Sequence, residues 1–100
     1  MTTNFIRAGL QLGAVGTTRM ITITTAAAQQ IFLGTGNNAM MVMNNGPNTC
    51  SWGDSAIAQG SGNLLFPYSS EEFKNLHDDF SLYFRADSTA TELAVTEFTV

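Results

Sequence analysis

One acidic segment contains the residue types that could bind a cation or transfer a proton. Glu71, Glu72, Asp78 and Asp79 flank His77, the single histidine of the chain. Imidazole and carboxylate groups are common metal ligands. In a strand, however, neighbouring side chains point to opposite faces, and no second cluster of ligand residues occurs in the sequence. The segment is therefore interpreted as a solvated acidic turn, and the sequence predicts no metal site and no cofactor.

Sulfur-containing residues are the other candidates for chemistry. Cys50 is the only cysteine, so the chain cannot form an internal disulfide, and His77 is too distant in sequence to be an expected base for it. Met40, Met41 and Met43 would bind a soft metal only with converging Cys or His partners, and they are interpreted as core residues. No Gly-x-Ser-x-Gly motif positions a serine nucleophile. The sequence therefore predicts no catalytic residue and a protein that is not an enzyme.

Aromatic residues beside asparagine-rich loops allow carbohydrate binding as an alternative. Trp52, Tyr68 and Tyr83 are of the types that stack on sugar rings, and β-sandwich proteins commonly host such sites. The simpler interpretation, which we prefer, places these rings in the core with their polar tips at its rim.

Charged residues are scarce, so the polar part of the protein surface must consist mostly of uncharged residues. They make up 12% of the chain, about half of the ~25% expected of a soluble domain. Thr, Ser, Asn and Gln together number 32. Such a surface can be buried against another protein without enclosing many unpaired charges.

The same composition argues against two classes of partner. The net charge is −4, and the four Lys and Arg residues are scattered, so no basic stripe is available for nucleic acid. The longest apolar run, residues 39–43, is far shorter than the ~20 residues that span a bilayer, and no signal peptide is recognisable. We expect no nucleic acid and no membrane among the partners.

Short alternating segments between turn residues predict an all-β protein. They recur about every 8–12 residues, which is typical of an antiparallel β-sandwich. Residues 19–25 form the first predicted strand, with Arg19, Ile21 and Ile23 on one face. Residues 39–43 are apolar throughout and predict a central strand with both faces covered. The predicted fold is a jelly-roll or Ig-like sandwich of about seven to eight short strands, in a single domain over residues 18–100.

The second half of the chain contains one ambiguous segment and one clear pattern. Residues 69–79 fit a short helix, with Ser69 and Glu72 as a capping box, or a strand that ends in a turn. Residues 80–85 and 91–98 predict a C-terminal hairpin in which Leu93 and Val95 face the core.

Residues 1–17 predict an extended N-terminal arm, because they contain spaced glycines, scattered apolar residues and no turn chemistry. The arm either pairs as an edge strand of its own sheet or is held by another chain. Phe5, Ile6, Arg7, Leu10 and Leu12 are the predicted partner-binding residues.

The order of features from Thr17 to Phe98 resembles small β-sandwich structural proteins of tailed bacteriophages. These proteins share a Thr-rich strand, an apolar strand ending in Asn-Asn-Gly, a short strand with a small-residue turn, a Leu-x-Pro segment, an aromatic strand and a terminal Val-x-Glu. The matching segments here are Ile21–Thr24, Met41–Gly46, Cys50–Gly53, Leu65–Pro67, Leu82–Asp87 and Val95–Glu97.

The resemblance implies a non-enzymatic component of the virion, assembled in the host cytoplasm. A capsid decoration or cement protein that binds the major capsid protein is expected, with a tail or collar module as an alternative. Many copies on a symmetric shell would bind through multivalent contacts, and we expect a homo-oligomer, by preference a trimer. A glycan-binding sandwich used in attachment is the alternative from a different class.

Overall fold

The computed structural model describes residues 14–33, 36–58, 62–76 and 82–99, and this part of the chain contains strands and no helix. The predicted all-β class is therefore confirmed. The strands are β1 (Ala14–Ile23), β2 (Gln29–Ile31), β3 (Ala39–Asn44), β4 (Cys50–Gly53), β5 (Asn63–Leu65), β6 (Ser70–Phe73), β7 (Leu82–Ala86) and β8 (Thr91–Thr99).

The eight described strands form two antiparallel sheets of four strands each. Sheet A has the order β1-β8-β3-β6, and sheet B has the order β2-β7-β4-β5. Only β4 and β5 are both consecutive in sequence and paired as neighbours. Every other connection along the described strands passes from one sheet to the other, which brings distant parts of the sequence together at each end of the domain.

The main core lies between the two sheets and explains the alternation of the longer strands. In β1, Ile23 is fully buried, whereas Met20 and the neighbouring threonines are exposed. In β8, Leu93 and Val95 are fully buried. Side chains of both sheets meet in this core, namely Ile23, Ile31, Met40, Val42, Cys50, Leu65, Leu82, Phe84, Ala86, Leu93 and Val95. The burial of apolar area, which stabilises a fold by ~25 cal/mol per Å², is the main stabilising contribution. The single cysteine cannot form an internal disulfide.

The predicted C-terminal hairpin is wrong. β7 lies in sheet B between β2 and β4, while β8 lies in sheet A between β1 and β3. Both hydrogen-bonding edges of each strand are thus occupied by other partners, and residues 87–90 cross between the sheets. The prediction that Leu93 and Val95 face the core is confirmed.

Two other local predictions are decided by the structure. Residues 70–73 form a strand, so the strand alternative for residues 69–79 is correct over that range, and residues 77–79 lie outside the described part. β3 is a central strand of sheet A, as expected, but its two faces are not equally covered. Met40 and Val42 are fully buried, whereas the side chain of Met43 is 37% exposed on the opposite face.

The N-terminal strand begins earlier than the sequence indicates. β1 starts at Ala14, within the range 1–17 assigned to the arm, and pairs with the C-terminal strand β8. Its register shifts between Val15 and Thr18, as at a β-bulge. The predicted partner-binding residues Phe5, Ile6, Arg7, Leu10 and Leu12 lie outside the described residues.

Candidate functional site

The sequence candidates for catalysis and metal binding do not assemble into a site within the described residues. There, no group of three or more His, Cys, Asp or Glu side chains could hold a metal ion. His77, Asp78 and Asp79 lie outside that part, and Glu71 and Glu72 belong to β6. Cys50 is fully buried, and burial, followed by the charge of Asp87, raises the pKa of its thiol to about 12. The thiol is therefore protonated at neutral pH, which makes it a poor nucleophile.

The centre of the outer face of sheet A is uncharged, with Glu92 beside it on β8. At one end of this face Ala39 and Phe98 are buried. One row across the four strands consists of Met20, Ala94, Met43 and Ser70, which are partners in register. Met20 is 48% exposed and Met43 is 37% exposed, so this row is apolar over β1, β8 and β3 and open to solvent.

The adjoining row, Thr18, Thr96, Met41 and Glu72, places a carboxylate only at the β6 edge. We call residues Thr18, Met20, Met41, Met43, Ala94 and Thr96 the neutral face. An apolar centre with polar residues at its margin is the usual anatomy of a protein interface.

A second candidate surface is the turn after β5, residues 66–69, which we call the aromatic turn. The side chains of Phe66 and Tyr68 are 58% and 64% exposed, and Leu64 at the preceding edge strand is 40% exposed. The backbone N–H and the hydroxyl of Ser69 both donate to the carbonyl of Phe66, at 3.1 and 2.6 Å. These bonds close the turn locally and hold the two rings at the protein surface.

Asn44, at the end of β3, anchors the aromatic turn to the core. Its backbone carbonyl accepts from the N–H of Tyr68 (2.6 Å), and its backbone N–H donates to the carbonyl of Ser69 (2.9 Å). The fully buried side-chain amide donates to the carbonyls of Asn48 (2.6 Å) and Leu65 (3.0 Å). Its oxygen accepts from Gly46 N–H and the Thr91 hydroxyl. The turn is thus tied to β3, β5 and β8.

A third candidate is a cleft between the sheets at the other end of the domain. Glu97 is 4% exposed, on the same face of β8 as Leu93 and Val95, and forms an ion pair with Arg19 of β1. The Asn37 amide donates to the other carboxylate oxygen at 3.2 Å, and Arg19 also donates to the carbonyl of Phe32. The pair is internally neutral, and its hydrogen bonds join the edge of sheet A to the segment after β2.

This cleft has a volume of about 420 Å³ and a mixed lining. Ile21, Phe32 and Leu33 supply apolar walls, and the ring of Phe32 is 66% exposed. Gln29 and Gln30 also line the cleft, although the side-chain oxygen of Gln30 accepts from the Tyr83 hydroxyl. A concave site with apolar walls and a few polar groups is able to accept an aromatic or aliphatic group together with a hydrogen-bonding partner.

The three aromatic residues considered for sugar stacking lie in three different places. Trp52 is half-buried and packs edge-to-face on Phe73, with ring centroids 5.0 Å apart. The Tyr83 hydroxyl donates to Gln30 on the outer face of sheet B (3.2 Å), whereas Tyr68 is exposed in the aromatic turn. They therefore do not form one stacking platform, and the core interpretation is correct for Trp52 and wrong for Tyr68 and Tyr83.

Sequence reasoning missed the cleft, although a signal for it was present. The alternation that buries Leu93 and Val95 also places Glu97 on the core face, and the alternation of β1 places Arg19 beside Ile21 and Ile23. A charge of each sign on the facing sides of two strands is itself an indication of an ion pair. The exposure of Phe32 beside this ion pair depends on where β2 ends. No residue pattern predicted that end point.

Comparison with protein-family models, with curated proteins and with solved structures finds no significant match for this chain. Among the described residues, no helix is long and apolar enough to cross a bilayer.

Proposed function

We propose that this protein is a non-enzymatic structural component of a tailed-bacteriophage virion. Its proposed role is that of a capsid decoration or cement protein, which binds the shell of major capsid protein and stabilises it through many protein contacts. The observation that carries the proposal is the strand order of the two sheets, considered together with the neutral face.

The strand order supports assignment of the fold as a jelly-roll β-sandwich. The orders β1-β8-β3-β6 and β2-β7-β4-β5 follow when a ribbon of four antiparallel strand pairs, 1 with 8, 2 with 7, 3 with 6 and 4 with 5, is wrapped into two facing sheets. Jelly rolls are common in viral capsid proteins and in lectins. Fold by itself does not define function, so the proposal also depends on the surface that the fold presents.

The neutral face supports binding to protein. Its central row carries no charge, and the exposed Met20 and Met43 can adapt to an irregular partner surface because methionine side chains are flexible. Burial of this face against a shell would desolvate few charged groups, which avoids a cost of several kcal/mol per unpaired ion. A weak contact of this kind is sufficient when many copies bind a symmetric particle.

Partner binding by the arm is part of the same proposal. Phe5, Ile6, Arg7, Leu10 and Leu12 are proposed to contact a neighbouring virion protein. β1 is an edge strand of sheet A, and its residues Thr18 and Met20 belong to the neutral face. The first described strand therefore lies beside this face. Deletion of residues 1–12 is expected to leave a folded protein that binds its partner weakly or not at all, as judged by circular dichroism and co-sedimentation. A truncated chain that fails to fold would show that these residues are needed within their own domain.

Co-sedimentation tests the role directly. The purified chain is mixed with empty capsids and, separately, with tails of the phage that encodes it. We expect saturable binding to capsids, a higher melting temperature of the shell, and loss of both effects in Met43→Asp, which places a charge in the centre of the neutral face. Ser88→Asp, at an exposed bend outside this face, is the matched control. Binding to tails alone would assign a tail or collar module, and binding to neither would refute the virion role.

A glycan-binding attachment module is the second candidate, and the cleft is the observation that favours it. An exposed Phe32 ring in a cleft that Gln29 and Gln30 also line is typical of sites where proteins combine stacking with hydrogen bonds around a sugar. A glycan array tests this function. Binding that is lost in Phe32→Ala and retained in Phe66→Ala would support it, provided that the wild-type chain does not bind capsids.

A further inference from the structure

The backbone of Tyr68 has a conformation that its residue type does not favour. Its φ is 62°, in the left-handed region, where a side chain with a Cβ is normally disfavoured. The other described non-glycine residue with positive φ is Asn75, a type that tolerates this region. The Tyr68 ring is 64% exposed, so it adds little to the packing of its own domain. Strained residues kept in a structure without a packing role are candidates for function.

The turn that carries Tyr68 is tied to Asn44 by two backbone hydrogen bonds, one through the N–H of Tyr68 and one through the carbonyl of Ser69. Phe66 is exposed beside it, and residues 62–70 contain no charged side chain. A preorganised, uncharged pair of aromatic rings loses little conformational entropy on binding. Such rings are the usual anchors at the centre of protein interfaces, where they fill pockets of the partner.

The cleft has the complementary properties. It is concave, with apolar walls formed by Ile21, Phe32 and Leu33. Its two charged groups, Arg19 and Glu97, neutralise each other, so insertion of uncharged rings would leave no isolated charge. Gln29, which is exposed and lines the cleft, is a polar residue able to bond to a tyrosine hydroxyl.

These two features lie at opposite ends of sheet B. Phe32 follows Ile31, which pairs with Leu82 at the start of β7. Phe66 follows Leu65, whose partner Cys50 pairs with Ala86 at the end of β7. The aromatic turn therefore cannot reach the cleft of its own chain, and contact between the two must join different copies.

We propose that copies of this chain associate head to tail, with the aromatic turn of one copy seated in the cleft of the next. This inference rests on the assembly role proposed above and specifies the contact by which copies join. Such a heterologous interface builds a closed ring when the rotation between copies closes and a filament when it does not. A trimer is one such ring.

Sedimentation equilibrium of the purified full-length chain tests the association. We expect the average mass to rise with concentration above the monomer mass of 10.7 kDa. Tyr68→Gly, on the turn, and Phe32→Ser, in the cleft, should each weaken association at least about tenfold, as truncation of an interface anchor does. Lys74→Gln, at an exposed residue directly after β6 that lies outside the aromatic turn, the cleft and the neutral face, is the control and should associate as the wild type does.

Mixing the two variants distinguishes this interface from any symmetric one. Tyr68→Gly retains an intact cleft and Phe32→Ser retains an intact turn, so an equimolar mixture should form one intact contact and stop at a dimer. Two variants of a face-to-face interface would not complement each other. Thermal melts by circular dichroism check folding, and Tyr68→Gly should melt no lower than the wild type because glycine removes the strain at this φ.

Three results would overturn the inference: a wild-type chain that stays monomeric, self-association that both variants retain, or a mixture that fails to form a dimer. A monomeric wild type whose cleft binds a saccharide in an NMR titration, with loss in Phe32→Ser, would assign the cleft to a glycan instead. Binding to capsids is measured separately. A wild-type chain that binds capsids but does not self-associate would refute the head-to-tail contact alone. A wild-type chain that self-associates as described but binds neither capsids nor tails would refute the virion role.

Discussion

Replacement of Asn44 by alanine should be among the most destabilising single changes in this protein. The side-chain amide makes four hydrogen bonds, and three of them, to Leu65, Gly46 and Thr91, are buried. A buried polar group that loses its partner costs ~1–3 kcal/mol. Because water can enter part of the space that the amide leaves, we expect a total loss of about 3–5 kcal/mol, which is a large part of the ~5–15 kcal/mol that stabilises a typical domain.

Urea denaturation followed by the fluorescence of Trp52 measures this loss, since Trp52 is the only tryptophan and packs on Phe73. In a thermal melt the same loss should lower Tm by at least roughly 12 °C for a domain of this size. The adjacent Asn45 is exposed and serves as the matched control. Asn45→Ala should change stability by less than about 0.5 kcal/mol.

Thr91→Val separates the contributions further, because it removes only the hydroxyl that donates to Asn44. It should cost about 1–2 kcal/mol alone and much less in the Asn44→Ala background, with a coupling energy of about 1 kcal/mol. A cost below about 1 kcal/mol for Asn44→Ala, or a cost equal to that of Asn45→Ala, would refute the role of the buried amide as an anchor.

Three further predictions concern other parts of the fold. Gly46→Ala should destabilise the protein by about 2 kcal/mol or more in a urea titration, because the added Cβ would lie 2.8 Å from the backbone nitrogen of Glu92. The Cys50 thiol should react with a disulfide reagent only after unfolding. Because folding raises the pKa of this thiol to about 12, the thiol of the unfolded chain loses its proton at a lower pH than that of the folded protein. The free energy of unfolding should therefore fall as pH rises from about 9 to about 12, and Cys50→Ala should remove this pH dependence. Arg19→Met should cost about 2–3 kcal/mol because it leaves the buried Glu97 carboxylate without its charge partner, and adding Glu97→Leu should recover most of this loss; additive costs in the double-mutant cycle would contradict the pairing.

Local alternation was enough to identify the longer strands β1, β3, β7 and β8, and the inward faces of β1 and β8. It identified Ile21 and Ile23 in β1 and Leu93 and Val95 in β8, because a period of two in a pleated strand determines which side chains share a face. The same pattern could not show which strands pair. β7 and β8 are close in sequence and both amphipathic, yet they belong to different sheets.

The candidate surfaces were less predictable than the strands, because each combines residues from distant parts of the chain. The exposure of Met43 depends on its register with Ala94 and Met20, and an apolar run alone suggested a strand buried on both faces. The cleft requires Arg19 and Glu97, which are 78 positions apart in sequence. Residue types indicated the chemistry available but did not indicate which groups would meet.

The sequence by itself determined the class of structure, the neutral character of the surface and the absence of an internal disulfide, because these follow from residue types and their local spacing. Only the tertiary structure decided that Tyr68 adopts a strained, exposed conformation and that Asn44 holds it there. It also decided that the aromatic turn and the cleft lie at opposite ends of one sheet. The physical reason is that strand pairing is non-local. The packing of the whole chain determines the hydrogen-bond partners, and the residues of a short segment do not specify which distant strand pairs with it.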